Sequence, residues 1–385
     1  MNPIDALLPL PGCPEDLFRP DLVDDRYPDM VEWGKAGVRD GIPTCPEPVL
    51  QLPGTSTCAE IQTAINALEQ QEGGCLQLEP GHYVIDTPLY LKSGVRIRGP
   101  YVDAVKLEIR MRGTFPGWES DRVPLLESAI RFDGIHQAGL EHLTLVFDET
   151  TPRIFGVRHQ QDPFSDRPYD DRDSLFVNTV WVNESHDCFL QFCRFIDSGS
   201  NPLVIRNSSH ITVRYCELHG AHMRSGGQAY LRVTGSQSCL LNGLVFRDLR
   251  HLSIMDGSDA HPCRGNVVIG CDMEVDINFH SGDSGHNLIQ DCRIRIPSWH
   301  WWSPFAIGVK GTHRPPGPGN LIYRCNAERL RFATLPRTRM AEDPDTVYRI
   351  RDSFENEIPL ISEAGPAPVS GTLFPRELSR RPQRP

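Results

Sequence analysis

The 385-residue chain contains no run of about 18 apolar residues, so nothing in it reads as a membrane-spanning helix. It also lacks an excess of positive charge. Fifty Asp and Glu against 39 Lys and Arg leave a net charge of −11, which excludes a general nucleic-acid binder, because that role needs a strong positive field. Twelve cysteines are too few for a disulfide scaffold and lack paired C-x-x-C spacing, so zinc-ribbon and thioredoxin-like sites are excluded too. The start, "MNPIDALLPLPGCPEDLF", has no basic n-region and its apolar run is broken by prolines. The expectation is a soluble cytoplasmic protein, or a secreted one if an export signal was removed.

What the chain does have is a repeat. "HITVRYCEL", "CLLNGLVF", "NVVIGCDM", "NLIQDCRI" and "NLIYRCNA" share one pattern, with Cys193, Cys216, Leu244, Cys271, Cys292 and Cys325 at the equivalent position. Their separations of 23, 28, 27, 21 and 33 residues suit one solenoid coil per repeat, with insertions between coils. A second alternating strand lies between them: "PLVIRN", "YLRVTG", "LSIMDG", "INFHSG" and "AIGVKG". Short strands, one inward residue in two, and Gly, Asn or Asp at the turns describe a right-handed parallel β-helix. The cysteines then stack inward as small hydrophobes on coils about 4.8 Å apart.

Upstream, "TSTCAEIQTAINALEQQEGG" has Thr57 and Glu60 in capping-box spacing, Ile61, Ile65 and Leu68 on one face, and a Gly73-Gly74 stop. This predicts a helix over 58–70 that closes the first coil and hides its edge. The expected organisation is an N-terminal extension over 1–56, a β-helix with its capping helix over 57–334, and a C-terminal extension over 335–385, Pro/Arg-rich at its end.

Residues 59–100, "AEIQTAINALEQQEGGCLQLEPGHYVIDTPLYLKSGVRIRGP", resemble the opening of the pectate lyase superfamily: a helix, a "G-G-x-L-x-L-x-P-G-x-Y" strand pair and an "L-x-S-G-V-x-I-x-G" strand. That superfamily holds polysaccharide lyases, glycoside hydrolases, epimerases and phage tailspikes, so the resemblance implies the fold and leaves the reaction open. "AIGVK" is similar to the "G-I-R-I-K" strand of polygalacturonase-like hydrolases, which puts Lys310 at that family's substrate-binding lysine and Gly308 at its arginine. Asp276 falls near that family's catalytic aspartate pair, but as a single carboxylate, and no "G-H-G" is present.

Stacked coils turn outward residues into stripes. On the second strand the stripe reads Arg206, Thr234, Met255, His280 and Lys310, with Asp256 at the turn beside Met255. The candidate catalytic residues are His280, Lys310, Asp256 and Asp276, because a carboxylate, an imidazole and an amine on one stripe can serve acid–base chemistry. Candidate substrate-binding residues are Arg206, Asp283, His222 and Arg224 near the stripe, with Trp301 and Trp302 in the loop "PSWHWWSPF", whose aromatic faces suit sugar rings. His219, Arg247, Glu274 and Arg295 alternate in charge and read as a salt-bridge ladder. No metal site is assigned. The histidine pair of "HGAHMRSGG" has no third ligand, and Asp170, Asp171 and Asp173 do not match a calcium loop, so no cofactor is required and calcium stays optional.

The expected function is a carbohydrate-active enzyme on an acidic glycan, as a polysaccharide lyase in preference to a glycoside hydrolase. A lyase needs a cation for the uronate, a base for the C5 proton and an acid for the leaving oxygen; Lys310 or Arg206, His280, and Asp256 or Asp276 fit these roles. The alternative is an intracellular β-helix acting on a small molecule, or a non-catalytic glycan-binding or assembly module. The expected partner is a carbohydrate or other polar small molecule, with no nucleic acid, no membrane, and homo-oligomer formation left open.

Overall fold

The computed structural model describes residues 18–45, 47–116, 125–151, 175–223, 227–258, 260–279, 282–296, 304–307, 314, 316–329 and 372–376. Within them, three parallel sheets of ten, nine and eight strands wind as a right-handed β-helix. One coil runs from strand Leu203–Arg206 of the eight-stranded sheet to Thr212–Arg214 of the ten-stranded sheet and Glu217–Ala221 of the nine-stranded sheet. From the third such crossing onward a single left-handed residue makes the bend between the last two sheets: His142, Phe192, Tyr215, Gly243, Gly270, Asp291 and Arg324 all have φ between 51° and 64°. Non-glycine residues adopt this region at a cost. Ring stacking helps offset it, since His142, Phe192 and Tyr215 lie face to face at 4.9 and 5.4 Å between successive rings.

The expected cysteine ladder is present. Phe189, Thr212, Leu240, Val267, Leu288 and Leu321 are successive register partners, which places Cys193, Cys216, Leu244, Cys271, Cys292 and Cys325 four residues further along each coil. All six are buried in the core, and the cysteines are unbridged. A second ladder, unforeseen in the repeat pattern, runs beside it. Asn266 Nδ2 donates to Asn287 Oδ1 and Asn287 Nδ2 to Asn320 Oδ1, each at 3.0 Å, so the buried turn amides satisfy one another coil after coil.

The capping helix spans Cys58–Glu69 with the expected reciprocal cap: Thr57 Oγ1 accepts the Glu60 N–H, and Glu60 Oε2 accepts the Thr57 N–H at 2.7 Å. Its buried face is Ile61, Ala64, Ile65 and Leu68. The ordered fold begins earlier than residue 57, because strand Val49–Leu52 pairs with Gly74–Leu78 at the edge of the ten-stranded sheet. Residues before it form a strap across that sheet's outer face. Asp29 meets His286, the Gly37 N–H donates to Ser238 O, Arg39 bonds Asp187, and Pro43 O accepts from Arg96, so the strap runs from late coils back to the first. Met30, Trp33 and Ala36 pack there with Leu240, Val267, Leu288 and Leu321, joined by Leu373 and Phe374 from the C-terminal stretch. With the ten-stranded face covered by the strap, the eight-stranded sheet holds the other large buried outer face.

Candidate functional site

Outward and inward positions alternate along the eight-stranded sheet. Leu231, Leu252, Ile277 and Phe305 are register partners in the core, as are Val233 and Ile254, and Phe279 is buried there too. The intervening residues face away from the core in columns, two of which run past Asp276. One is Tyr230, His251 and Asp276; the other is Tyr90, Arg131, Trp181, Val204, Arg232, Ser253 and Asn278. The second column is open at its first coil, where Tyr90 is 48% exposed, and closed from Trp181 onward, where every member is at most 2% exposed.

At the closed end, the Nδ1–H of His251 donates to Asp276 Oδ1 at 2.6 Å, with both side chains at 1% exposure or less. The other Asp276 oxygen accepts from Asn278 Nδ2 at 3.3 Å. Tyr230 meets His251 edge-on with ring centroids 4.6 Å apart, and Arg232 lies over the same tyrosine at 4.4 Å. Upstream, Ser128, Asn178 and Asn201 form a buried chain in which Asn201 Oδ1 accepts the Tyr230 N–H at 3.0 Å, anchoring the strand that carries the tyrosine. The carboxylate on Nδ1 fixes the imidazole's tautomer and orientation.

The structure separates two of the expected carboxylates from this pair. Asp256 sits five positions beyond His251, on the order of 16 Å along the strand at about 3.3 Å per residue. Its Oδ1 accepts the Cys263 N–H at 2.7 Å and the Ser284 hydroxyl at 3.0 Å, and Arg314 reaches Oδ2 at 3.2 Å. Asp283 closes the asparagine ladder, accepting from Gly285 N, Asn287 Nδ2, Gly317 N and Asn320 Nδ2. Burial raises its pKa, against the pull of the Asn320, Gly317 and Gly285 donors, and the charge of Asp256 adds to the rise. Both carboxylates therefore brace turns at the far end of the sheet.

Arg206, Thr234 and Met255 share one stripe as expected, and Arg206 Nη1 donates to Asn183 Oδ1 at 3.1 Å. His222 packs against Phe147 at the edge of the nine-stranded sheet, with centroids 5.4 Å apart. The salt-bridge ladder exists with Asp272 as an added member: Arg247 reaches Asp272 at 2.7 Å and Glu274 at 3.4 Å, and Arg295 reaches them at 3.1 and 3.3 Å. His219 is register partner to Arg247 at its edge. His280, Lys310, Trp301, Trp302 and Arg224 lie outside the described residues, as do Asp170, Asp171 and Asp173. Among the described residues, no three His, Cys, Asp or Glu side chains are grouped to hold a metal ion, and no helix is long and apolar enough to cross a membrane.

The imidazole on Asp276 is His251, which lies one residue before the repeat segment "LSIMDG", as Asp276 lies one residue before "INFHSG". Extended by that residue, the repeats show the column Tyr230, His251, Asp276.

Three parallel sheets closed by an N-terminal helix make this a parallel β-helix protein of the pectin-lyase-like fold. The chain is similar to an exopolygalacturonase from Thermotoga maritima at 13% identity, over 78% of this chain and 79% of that one, with a TM-score of 0.50. It is also similar to a polygalacturonase from Erwinia carotovora ssp. carotovora at 12% identity, over 76% and 97%, with a TM-score of 0.44. A third is the A-module of a mannuronan C-5 epimerase from Azotobacter vinelandii, at 15% identity over 72% and 85%, with a TM-score of 0.35. No protein-family model matches the chain, and no curated protein matches it in sequence.

Proposed function

We propose that the protein is a carbohydrate-active enzyme that cleaves an acidic glycan by β-elimination, on the outer face of the eight-stranded sheet. The observation that carries this reading is the buried His251–Asp276 pair, outward-facing and joined at 2.6 Å. The fold shared with an exopolygalacturonase supports a glycan substrate at the level of architecture. In this reading His251 removes the proton on C5 of a uronate ring, Asp276 stabilises the imidazolium that forms, and the imidazolium returns that proton to the leaving O4 as the C4–O bond breaks and a C4=C5 double bond forms. Arg232, stacked on Tyr230, is the cation placed to offset charge on the uronate carboxylate, with Arg206 and Lys310 as further candidates.

Elimination is preferred to hydrolysis for two reasons. Hydrolysis uses two carboxyl groups about 5–9.5 Å apart. Asp256 and Asp283, the expected partners for Asp276, are engaged in turns at the far end of the sheet. Elimination also needs a single general base rather than a carboxylate pair, and the His251–Asp276 pair offers one.

The test is digestion of polyuronates followed by ultraviolet absorbance of the unsaturated product. His251→Ala and Asp276→Asn are expected to lose roughly 10²–10⁴-fold of turnover while retaining the β-rich circular dichroism of the wild type. His280→Ala and Lys310→Ala test the remaining candidates in the same assay. New reducing ends without absorbance would make the enzyme a hydrolase, and full turnover in both His251→Ala and Asp276→Asn would remove the pair from the chemistry.

A further inference from the structure

One buried cysteine lies outside the core ladder. Leu76, Leu78, Val95 and Ile97 point into the core from the adjacent strands Gly74–Leu78 and Val95–Arg98, so Cys75, Arg96 and Arg98, which alternate with them, face outward beneath the strap. Cys75 is nonetheless 1% exposed, with Val49 and Arg96 as its register partners. The strap brings a second thiol to it. Arg96 donates to Pro43 O at 2.5 Å and the Cys75 N–H donates to Pro48 O at 2.8 Å, so the chain on either side of Cys45 is pinned to the strand pair that carries Cys75. The two cysteine side chains hydrogen-bond, and Cys45 stays partly exposed, within reach of small reagents. Two guanidinium groups share one carboxylate beside them: Arg96 and Arg98 reach Glu141 at 3.2 and 3.8 Å, and Arg96 Nε and Arg98 Nε are buried with no hydrogen-bond partner among the described residues. Positive charge is in excess there, and a thiolate at Cys45 offsets it.

We propose that Cys45 and Cys75 are a redox pair, which a low-molecular-weight disulfide oxidises to a reversible bridge that staples the strap to the first coil. This site is independent of any sugar chemistry on the eight-stranded sheet. The Cys45 thiolate attacks one sulfur of R–S–S–R, forming a mixed disulfide and releasing RS⁻. Cys75 then attacks the Cys45 sulfur, its proton passes to the second departing RS⁻, and a Cys45–Cys75 bond replaces the mixed one. Two protein sulfurs lose two electrons, and the small disulfide gains them as one thiolate and one thiol. The order of attack follows from the surroundings. Cys45 is the exposed member and the one whose thiol is lowered, whereas the hydrogen bond to Cys45, together with burial, holds Cys75 protonated. Capping Cys45 removes that hold, and Arg98 and Arg96 then favour the Cys75 thiolate. The bridge closes the chain around strand Val49–Leu52 and the capping helix Cys58–Glu69, so it ties the strap to the end of the solenoid that the helix covers.

The experiment equilibrates the full chain in glutathione buffers running from reduced to oxidised, blocks the remaining thiols and maps peptides by mass without reduction. A Cys45–Cys75 bridge is expected, with the ladder cysteines still free. The bridged protein is expected to melt about 2 °C or more above the reduced one, because the cross-link restricts the unfolded chain, and dithiothreitol is expected to reverse both changes. Cys75→Ser lacks the resolving thiol and is expected to hold one glutathione on Cys45, while Cys45→Ser is expected to take up none on Cys75. A wild-type protein that forms no Cys45–Cys75 bridge in the oxidised buffer would overturn the redox pair, whatever the two variants do. Ladder cysteines modified as readily as Cys45 would overturn its selectivity, and a bridged form that melts no higher than the reduced form would overturn the staple.

Discussion

At the scale of single residues, the cysteines divide into two chemistries that composition does not separate. Burial pushes the core thiols of Cys188 and Cys239 up to about 12, which leaves them protonated and inert. Cys45 is the opposite case. Pro43 O accepts from Arg96 and Pro48 O accepts the Cys75 N–H, so the strap carries Cys45 over Cys75 and the first-coil arginines. A hydrogen bond with Cys75 lowers its pKa; burial opposes this, and Arg98 and Arg96 reinforce it, bringing Cys45 down to about 6. Cys45 is therefore expected to react with iodoacetamide ahead of the buried cysteines, with a rate midpoint near pH 6. Peptide mass mapping after timed alkylation checks this, and Cys75→Ala should move the midpoint toward the ordinary thiol value of about 8.5. Equal labelling of Cys45 and the core cysteines would remove the distinction.

At the scale of elements, the strap and the asparagine ladder do work that the repeats do not advertise in the same way. The ladder was legible: "NVVIG", "NLIQD" and "NLIYR" all open with the stacking residue, Asn266, Asn287 and Asn320. The cysteine five residues later in each, Cys271, Cys292 and Cys325, is the more conspicuous repeat because an inward thiol is rarer than a turn asparagine. The strap was not legible, since residues 18–45 have no repeat and their contacts are set by a partner surface distant in sequence. Trp33 shows how firmly it is held, with 2% exposure and its indole N–H donating to His286 O at 2.7 Å. Trp33→Ala is expected to cost about 3–5 kcal/mol, from lost burial and the cavity left behind. Denaturant unfolding followed by fluorescence and circular dichroism measures it. A loss under about 1 kcal/mol would show that the coils stand without this contact.

At the scale of the whole molecule, the buried acid–arginine pairs predict how the fold responds to pH. Asp187 and Asp148 are partly desolvated, which alone would raise their pKa values, but Arg39 bonds the first, Thr150 and Arg112 bond the second, and both fall to about 2. A depressed folded-state value means their contribution is complete above the unfolded value of about 3.9 and lost as pH falls from there toward 2. Thermal unfolding across that window should show the loss, and Asp187→Asn should flatten part of it; an unchanged pH profile in the variant would assign the acid sensitivity elsewhere. The parallel β-helix was determined by the sequence itself, because inward positions recur coil after coil and a capping box marks the helix over the open end. The candidate site was decided by tertiary structure. Tyr230, His251 and Asp276 are 21 and 25 residues apart in succession, and insertions of unequal length hide their shared column until hydrogen-bonded register aligns the strands. Register also sent Asp256 and Asp283 to the turns and gave Asp276 to His251, since a carboxylate's role follows from which donors the fold brings within about 3 Å of it.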